Sequence, residues 1–200
     1  MRTTILLGIF ALLTLLANFQ AHAGVFFLSA DLQGENVVPP AATSASGFAN
    51  FTLTDGPSPT LDYFIQLNGV DLDGLQTPDP GDDVTGIHLH LGAPGETGPL
   101  IYGMIGPQHD LDDAVFDPVA GTVSGTWDDA DIFGVLPLST YVEDLLNGQT
   151  YLQVHTVDFQ SPAAELRGQL VTVPEARSST MWTALGALCA AMVFFTRRRV

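Results

Sequence analysis

Two histidines separated by one residue, His88 and His90, have the type and spacing in this sequence that best suit chemistry. They alternate with Ile87 and Leu89, so in a β-strand both imidazoles lie on one face while the apolar side chains face a core. Imidazoles at this spacing are close enough to share a metal ion, and His155, on another predicted strand, offers a third ligand. Three histidines with one open position suit zinc or copper. The pattern therefore indicates a candidate zinc or copper site.

The alternative is that His88 and His90 are polar residues on the solvent-facing surface of a strand, hydrogen-bonded to turn backbone. The glycine- and proline-rich segment 92–99 supplies such a turn. Of the other histidines, His22 lies in the leader segment described below, and His109 is predicted to be exposed in an acidic loop. The residue pattern leaves both interpretations open.

Acidic loops provide a second candidate site, for Ca²⁺, which prefers carboxylate oxygens as ligands. The first loop contributes five candidates, Asp71, Asp73, Asp79, Asp82 and Asp83. The loop is not an EF-hand, because Leu75 stands at the position of the third acidic ligand and Gly74 comes too early. Similar acidic runs occur at 110–117 and 128–131. The alternative is that these loops are solvated and keep the protein soluble.

Arg167 is the only basic residue between positions 24 and 173. Its place in a predicted strand favours pairing with a carboxylate, either Glu35 or Glu165. Such a pair is structural, and removing one partner of a buried pair costs about 3–5 kcal/mol. We therefore expect Arg167→Ala to unfold the domain.

The composition excludes several functions. Segment 24–173 carries 21 acidic side chains against one arginine, a formal charge of −20, so it has no basic surface for nucleic acid. The only cysteine, Cys189, lies outside this segment, so the domain must fold without a disulfide. There is no Gly-x-Ser-x-Gly motif and no glycine-rich phosphate loop. Nucleophilic catalysis and phosphate chemistry therefore find no support.

Short apolar runs separated by glycine and proline predict an all-β domain. Strands are predicted at 25–32, 47–54, 61–67, 86–91, 100–105, 122–127, 150–157 and 165–173. A short helix is predicted at 141–147, and long loops are predicted at 70–84 and 106–118. This pattern is typical of an antiparallel sandwich or barrel.

Both ends of the chain have the character of targeting segments. Residues 1–23 combine a charged start, an apolar run and Ala21-His22-Ala23, the pattern of a cleaved signal peptide, so the mature chain is expected to begin near Gly24. Residues 181–200 hold a second apolar run and an arginine cluster, which predicts a transmembrane helix with a cytoplasmic end. Residues 174–180 form the linker. The protein is therefore expected to be exported and held, at least transiently, by a single-pass anchor.

Four ordered blocks resemble the CHRD domain, a module first described in chordin and common in bacterial exported proteins. The blocks are Gly34–Pro40, Gly86–His90 with Gly98-Pro99, Tyr151–Thr156 and Glu165–Leu170. The resemblance covers about residues 26–171. It implies an antiparallel Greek-key β-sandwich, immunoglobulin-like or superoxide-dismutase-like, and it carries His155 alongside His88 and His90.

The tail carries a second resemblance, to the PEP-CTERM sorting signal of Gram-negative bacteria that make extracellular polymer. The sorting motif is Pro174, Glu175 and Ala176, followed by the apolar run and the arginine cluster. Alanine replaces the proline that usually ends this motif. The resemblance implies processing by an exosortase-type enzyme.

Three functions follow from these observations. The first is a non-enzymatic binding or structural module at the cell surface or in the extracellular matrix, with an unnamed polymer or protein as partner. The second is a copper or zinc carrier, or an enzyme, that uses His88, His90 and His155. The third is an adhesion module stabilised by Ca²⁺ in the acidic loops. The sequence favours the first, because it has no convincing catalytic set.

Overall fold

Short antiparallel strands account for most of the regular structure. The computed structural model describes residues 23–106, 112–131 and 136–174. The strands are β1 (Val25–Gln33), β2 (Ser46–Thr54), β3 (Thr60–Asn68), β4 (Val84–Leu91), β5 (Leu100–Ile105), β6 (Val115–Asp117), β7 (Thr122–Asp128), β8 (Thr150–Thr156), β9 (Leu166–Gln169) and β10 (Val171–Thr172). Helix α1 spans Val142–Leu146. Within the described residues, no helix has the length and apolar character needed to cross a membrane.

The strands form one antiparallel sheet in the order β5-β4-β8-β9-β1-β2-β3-β7-β6, and β10 pairs with β1. β1, β2 and β3 form a meander that pairs along its full length, because alternate side chains, such as Leu28, Phe51 and Ile65, are apolar and buried on one face. β4 pairs with both β5 and β8 in the other half. The halves meet where Gln33 of β1 pairs with Arg167 of β9.

The two halves of the sheet share one apolar core. Side chains from both halves, such as Phe51 and Leu61 from one and Leu89 and Leu152 from the other, belong to a single buried cluster. Full burial of one such side chain contributes about 1.5–3 kcal/mol. Helix α1 adds Leu145 to the same cluster. The sheet therefore curls as a half-barrel around this core.

β8 is buried on both faces. All seven of its residues are shielded from solvent. Leu152 and Val154 belong to the apolar core, whereas Tyr151, Gln153 and His155 alternate with them and lie on the other face. A central strand with polar side chains buried on its outer face is unusual for a simple core strand, and it marks the location of the site described below.

The predicted all-β antiparallel architecture is confirmed, and the half-barrel is consistent with the predicted sandwich. Each predicted strand has a counterpart in the sheet. The last predicted strand, 165–173, divides at Leu170, whose N–H bonds to Thr150 before the chain turns to pair with β1. β6 lies in a segment predicted to be loop, because all three of its side chains are exposed and give no alternation signal.

The predictions for the two chain ends fall mainly on residues outside the described part of the chain. The signal peptide at 1–23 is described only at Ala23, and the transmembrane helix at 181–200 is not described. Of the linker and sorting motif, Pro174 is described and is exposed, whereas Glu175 and Ala176 lie outside the described residues. Export and anchoring therefore stay predictions.

Candidate metal centre

Pairing between β4 and β8 brings the three predicted metal-ligating histidines onto one face of the sheet. Within β4, His88 and His90 lie on the face opposite Ile87, which is fully buried in the core. His155 on β8 pairs with Gly86, two residues before His88. Antiparallel register therefore brings together histidines that are far apart in the sequence.

The three imidazoles converge on one point. One ring nitrogen of each lies within 4.8 Å of one from each of the others. The ring centroids are 5.1 Å apart for His88 and His155 and 5.9 Å apart for His88 and His90. His88 is only 6% exposed and His155 only 3%. His88 and His155 therefore do not lie on a solvent-facing surface, whereas His90 is half-buried and contacts the turn backbone, as the alternative predicted.

Backbone carbonyls orient two of the rings. The Nδ1 atom of His90 lies 3.0 Å from the carbonyl oxygen of Gly98, and the Nδ1 atom of His155 contacts the carbonyl oxygen of Ala163. A carbonyl oxygen only accepts, so each Nδ1 carries the hydrogen and donates it. Each Nε2 then keeps its lone pair, and this is the arrangement in which protein histidines bind metals.

The Nε2 atoms of His88, His90 and His155 are buried and have no hydrogen-bond partner within the described part of the chain. A buried polar atom left without a partner costs about 1–3 kcal/mol. Three such atoms at one point would be costly as a purely structural arrangement. A single cation between them would satisfy all three.

Burial lowers the pKa of all three imidazoles. For His88, desolvation together with the nearby His155 and His90 lowers the pKa to about 4. The hydrogen bonds that His90 and His155 donate to the backbone carbonyls of Gly98 and Ala163 oppose part of the lowering of the pKa in those two rings. The rings are therefore neutral at pH 7, which is the protonation state that metal binding requires.

Two glycines leave the space that the His88 ring occupies. A Cβ atom at Gly86 would lie 2.8 Å from Cε1 of His88 and 3.1 Å from its Nε2. A Cβ atom at Gly106, where φ is +96°, would lie 3.3 Å from the same Nε2. The absence of side chains at these two positions therefore allows His88 to turn toward the other imidazoles.

A stack of side chains extends from the site across three strands. The His90 ring stacks on Tyr151, with the centroids 5.2 Å apart and the planes at 11°. The guanidinium carbon of Arg167 lies 3.7 Å from the centroid of the same tyrosine ring. The Tyr151 hydroxyl accepts a hydrogen bond of 2.9 Å from the N–H of Gly98. Tyr151 thus packs between β4 and β9 and also contacts the loop that orients His90.

Arg167 is 2% exposed, and its partners differ from those predicted. Besides stacking on Tyr151, it donates a hydrogen bond of 3.3 Å to the carbonyl oxygen of Ala93. Burial lowers the pKa of its guanidinium, and Tyr151 opposes this lowering. The planar guanidinium therefore packs against an aromatic face rather than against a carboxylate.

The predicted ion pair with Glu35 or Glu165 is absent within the described ranges. The Glu165 carboxylate accepts hydrogen bonds from the hydroxyls of Thr43 and Thr156, at 2.6 and 2.7 Å. These hydroxyls satisfy Glu165 without a cation, and Glu35 lies exposed in a short 3₁₀ turn. The prediction of an ion pair was wrong because it considered only charged partners and left out neutral hydrogen-bond donors, such as the threonine hydroxyls.

The acidic loop between β3 and β4 brings together three of the five predicted calcium ligands. Carboxylate oxygens of Asp71, Asp82 and Asp83 lie within 4.8 Å of one another, whereas Asp73 and Asp79 are exposed and outside this group. Burial, followed by the negative charges of Asp71 and Asp82, raises the pKa of Asp83. Three of the five predicted residues therefore lie together, and their binding of Ca²⁺ stays a prediction.

Asp71 already has an internal role in this loop. It is fully buried, and burial alone would raise its pKa, but backbone donors lower it below the ordinary value. Its two oxygens accept N–H bonds of 2.6–3.1 Å from Asp73, Gly74, Gln76 and Thr77. These bonds explain Asp71 without an ion, and calcium binding stays a prediction.

The other described acidic runs also stabilise turns. Asp117 accepts the N–H of Ala120, and Asp129 accepts the N–H of Ser139. Such bonds are the usual role of aspartate in loops. These bonds explain Asp117 and Asp129 without an ion, and Asp131, which is 4% exposed, accepts the N–H of Asp128.

A cleft of about 610 Å³ opens beside His90. The sheet contributes Tyr151 and Gln153 to its wall, and the loops over the sheet contribute Val38 and Pro162 among others. The cleft therefore borders the histidine cluster on the side of β8.

Tyr151, Gln153 and Gly98 are parts of the site that the sequence analysis did not identify. The alternation in the block 151–156 carried a signal for the first two, since they share a strand face with His155. Gly98 carried no such signal, because its contact with His90 depends on how the turn folds back over the sheet.

The fold and the site together define a small all-β domain with a histidine-rich candidate metal centre on its sheet. The family model of the CHRD domain matches residues 28–170, which include all three histidines. The chain therefore belongs to the CHRD domain family, as its four sequence blocks predicted. A search of the curated proteins found no match.

Proposed function

We propose that this protein is a CHRD-domain binding module that holds one divalent transition metal ion, zinc or copper, through His88, His90 and His155. The observation that carries the proposal is the convergence of three buried, unpartnered Nε2 atoms. The carbonyl contacts at Nδ1 support it, because they direct the lone pairs of His90 and His155 toward the shared point.

The donor set selects the class of ion. Three imidazole nitrogens suit zinc and copper, whereas Ca²⁺ and Mg²⁺ prefer oxygen ligands. The formal charge of −20 on segment 24–173 attracts cations to the domain as a whole, but it does not choose among them. Selectivity therefore comes from the histidines.

The proposal is tested by the metal content of the purified full chain, measured by elemental analysis after dialysis against excess Zn²⁺ or Cu²⁺. We expect about one ion per chain, as a three-histidine site holds one ion. The double variant His88→Ala/His90→Ala should lose it. His109→Ala is the matched control, because His109 is not one of the three proposed ligands and its replacement should leave the metal content unchanged.

Either of two results would overturn the proposal. One is a folded wild-type chain that takes up neither ion. The other is uptake that persists in the double variant, which would place the ion elsewhere, for example on the acidic loops.

The cellular setting of this module is proposed from the sequence. We propose that the chain is exported with its first 23 residues removed, and that it acts at the cell surface or in the extracellular matrix. The CHRD domain itself fits a binding or structural role. The immunoglobulin-like or superoxide-dismutase-like Greek key, the anchor and exosortase-type processing belong to the same proposal.

Export is tested by the mass of the protein recovered from the cell envelope. An N-terminus at or near Gly24 supports cleavage of the signal peptide, and a chain that keeps Met1 contradicts it. A mass that corresponds to a chain ending near Glu175 would support processing of the tail.

A further inference from the structure

The point on which the three imidazoles converge is closed to solvent. The Nε2 atoms of His88, His90 and His155 are all buried, even that of His90, whose side chain as a whole is half-buried. The turn that carries Gly98 and the loop that carries Ala163 lie against two of the rings. An ion held there would therefore have three protein nitrogens as ligands and little room for water. Such enclosure lowers the dielectric constant around a metal ion.

The charges around this point disfavour a second positive charge on the ion. Within the described part of the chain, the group of side chains that could hold the ion consists of three imidazoles, with no carboxylate and no thiolate. Arg167 stacks on the same Tyr151 ring as His90 does. Desolvation is the main cause of the low pKa of His90, and the positive charge of Arg167 also lowers it. A buried cation therefore acts on a site whose ligands carry no negative charge.

The two oxidation states of copper, Cu²⁺ and Cu⁺, fit such a site differently. The cost of taking an ion out of water rises with the square of its charge, so a buried set of neutral ligands penalises Cu²⁺ more than Cu⁺. Geometry acts in the same direction. Cu²⁺ favours square-planar or tetragonal surroundings, which need at least one ligand more than the three histidines provide. Cu⁺ has a filled d shell, as Zn²⁺ has, and therefore has no such preference.

We propose that the histidine cluster raises the reduction potential of bound copper, so that the domain holds copper as Cu⁺ in the presence of a mild reductant. This inference rests on the proposed metal site. In the step, Cu²⁺ gains one electron and becomes Cu⁺, and a small external one-electron reductant such as ascorbate loses that electron. No ligand bond has to break. No proton moves, because the three imidazoles are neutral in both states.

Gln153 is a position from which the charge at the site can be changed. It pairs with His88 across β4 and β8, so its side chain lies on the same face of the sheet as the cluster. Side chains paired in this way have Cβ atoms about 4.5–5.5 Å apart. Gln153 is also 5% exposed. A carboxylate at this position would therefore act on the ion through a medium of low dielectric constant and stabilise Cu²⁺ more than Cu⁺.

The test is a redox titration of the full chain loaded with copper, followed by the electron paramagnetic resonance signal of Cu²⁺. We expect a midpoint potential at least about 120 mV above that of copper in imidazole solution at the same pH, a hundredfold shift in the ratio of Cu⁺ to Cu²⁺ affinity. Gln153→Glu should retain copper and lower the potential by about 60 mV or more, a tenfold shift. Gln149→Glu is the matched control, because it adds the same charge at an exposed, screened residue and should leave the potential unchanged.

Arg167→Met tests the same electrostatic argument without adding a charge. It removes the buried cation that stacks on Tyr151, and it should also lower the potential. The shift should be smaller than in Gln153→Glu, because Tyr151 packs between the guanidinium and His90. Arg167→Lys keeps the charge and should change the potential less than Arg167→Met does. This pair of variants tests the inference even where Gln153→Glu does not fold.

The outcomes separate this inference from the proposed function. A folded wild-type chain that takes up neither zinc nor copper would overturn both. Copper uptake with a midpoint potential equal to or below that of copper in imidazole solution would overturn the inference alone, and so would uptake of zinc without copper. Equal potentials in wild type, Gln153→Glu and Arg167→Met would also overturn it, because the charges at the site would then not set the potential.

Discussion

The buried guanidinium of Arg167 is stabilised by an aromatic face and a carbonyl rather than by a carboxylate. Arg167→Ala removes both contacts and leaves a cavity, so we expect a loss of about 2–4 kcal/mol in the free energy of unfolding. Arg167→Met keeps much of the contact with Tyr151 and should recover about half of that loss. Urea unfolding measures both. If Arg167→Met is as unstable as Arg167→Ala, contact with the Tyr151 ring does not stabilise the domain, and the charge of the guanidinium does.

Gly86 tests whether the position of one imidazole controls the site. In Gly86→Ala the new Cβ would lie 2.8 Å from Cε1 of His88, so the ring must move. We expect metal affinity to fall about tenfold or more, in line with changes to groups that orient metal ligands. A competition titration with a chromophoric chelator measures this affinity.

Gly95→Ala is the matched control for that substitution. Gly95 has a φ of +79°, but an added Cβ there meets no heavy atom within 4 Å. The variant should lose about 1 kcal/mol of stability through backbone strain while binding metal normally. Equal metal affinity in both glycine variants would show that the His88 ring can move without loss of metal binding.

At the scale of elements, the sequence predicts which side chains share a face of β4, but it does not predict that loops bury this face. Alternation places His88 and His90 opposite Ile87, and this parity is local information. That face is buried because the loops that carry Gly98 and Ala163 fold over it. The position of these loops depends on the tertiary fold and is not encoded in the local sequence pattern. For this reason the sequence left a metal site and a solvent-facing strand equally open.

The same limit explains the error at Arg167. Charge counting finds acidic partners readily in a domain with 21 acidic residues, but the neighbours of β9 are set by sheet order. β8 lies beside β9 and brings Tyr151 against the guanidinium. Thr43 and Thr156 are far apart in the sequence, and their hydroxyls donate hydrogen bonds to the carboxylate of Glu165.

The loop between β3 and β4 depends on one carboxylate. Asp71→Ala leaves four backbone donors of partly buried bonds without their acceptor and removes a fully buried side chain, so we expect a loss of about 2 kcal/mol in the free energy of unfolding. Asp73→Ala is the control, since Asp73 is exposed and its loss should change stability by less than about 0.5 kcal/mol. Urea unfolding compares the two, and equal effects would exclude the special role of Asp71.

The whole molecule should lose stability in acid, in the absence of metal, because of its buried imidazoles. The pKa of His88 is about 4 in the folded chain against 6.5 for the ordinary group, so between these values the unfolded state binds more protons. Stability is then fully present above pH 6.5 and declines as pH falls toward 4, by roughly 3 kcal/mol for this group. Below pH 4 both states are protonated and the decline from this group ends.

Urea unfolding of the metal-free chain at pH 7 and pH 5 measures this effect. His88→Leu should show a flatter dependence on pH than the wild type, because it removes the group with the pKa of about 4. Equal slopes in the two proteins would show that His88 is not buried in its neutral form.

Metal binding should stabilise the whole domain, because the proposed ion would join β4 to β8 and would bind only when both strands are in register. At a free Zn²⁺ concentration about 100-fold above the dissociation constant, linkage gives about 2.7 kcal/mol, which corresponds to a rise of about 5–10 °C in Tm for a domain of this size. The rise should occur in wild type and His109→Ala and vanish in His88→Ala/His90→Ala. Ca²⁺ acts through oxygen ligands, so a Ca²⁺-dependent rise that survives in the double variant would assign the stabilising ion to Asp82 and Asp83 instead.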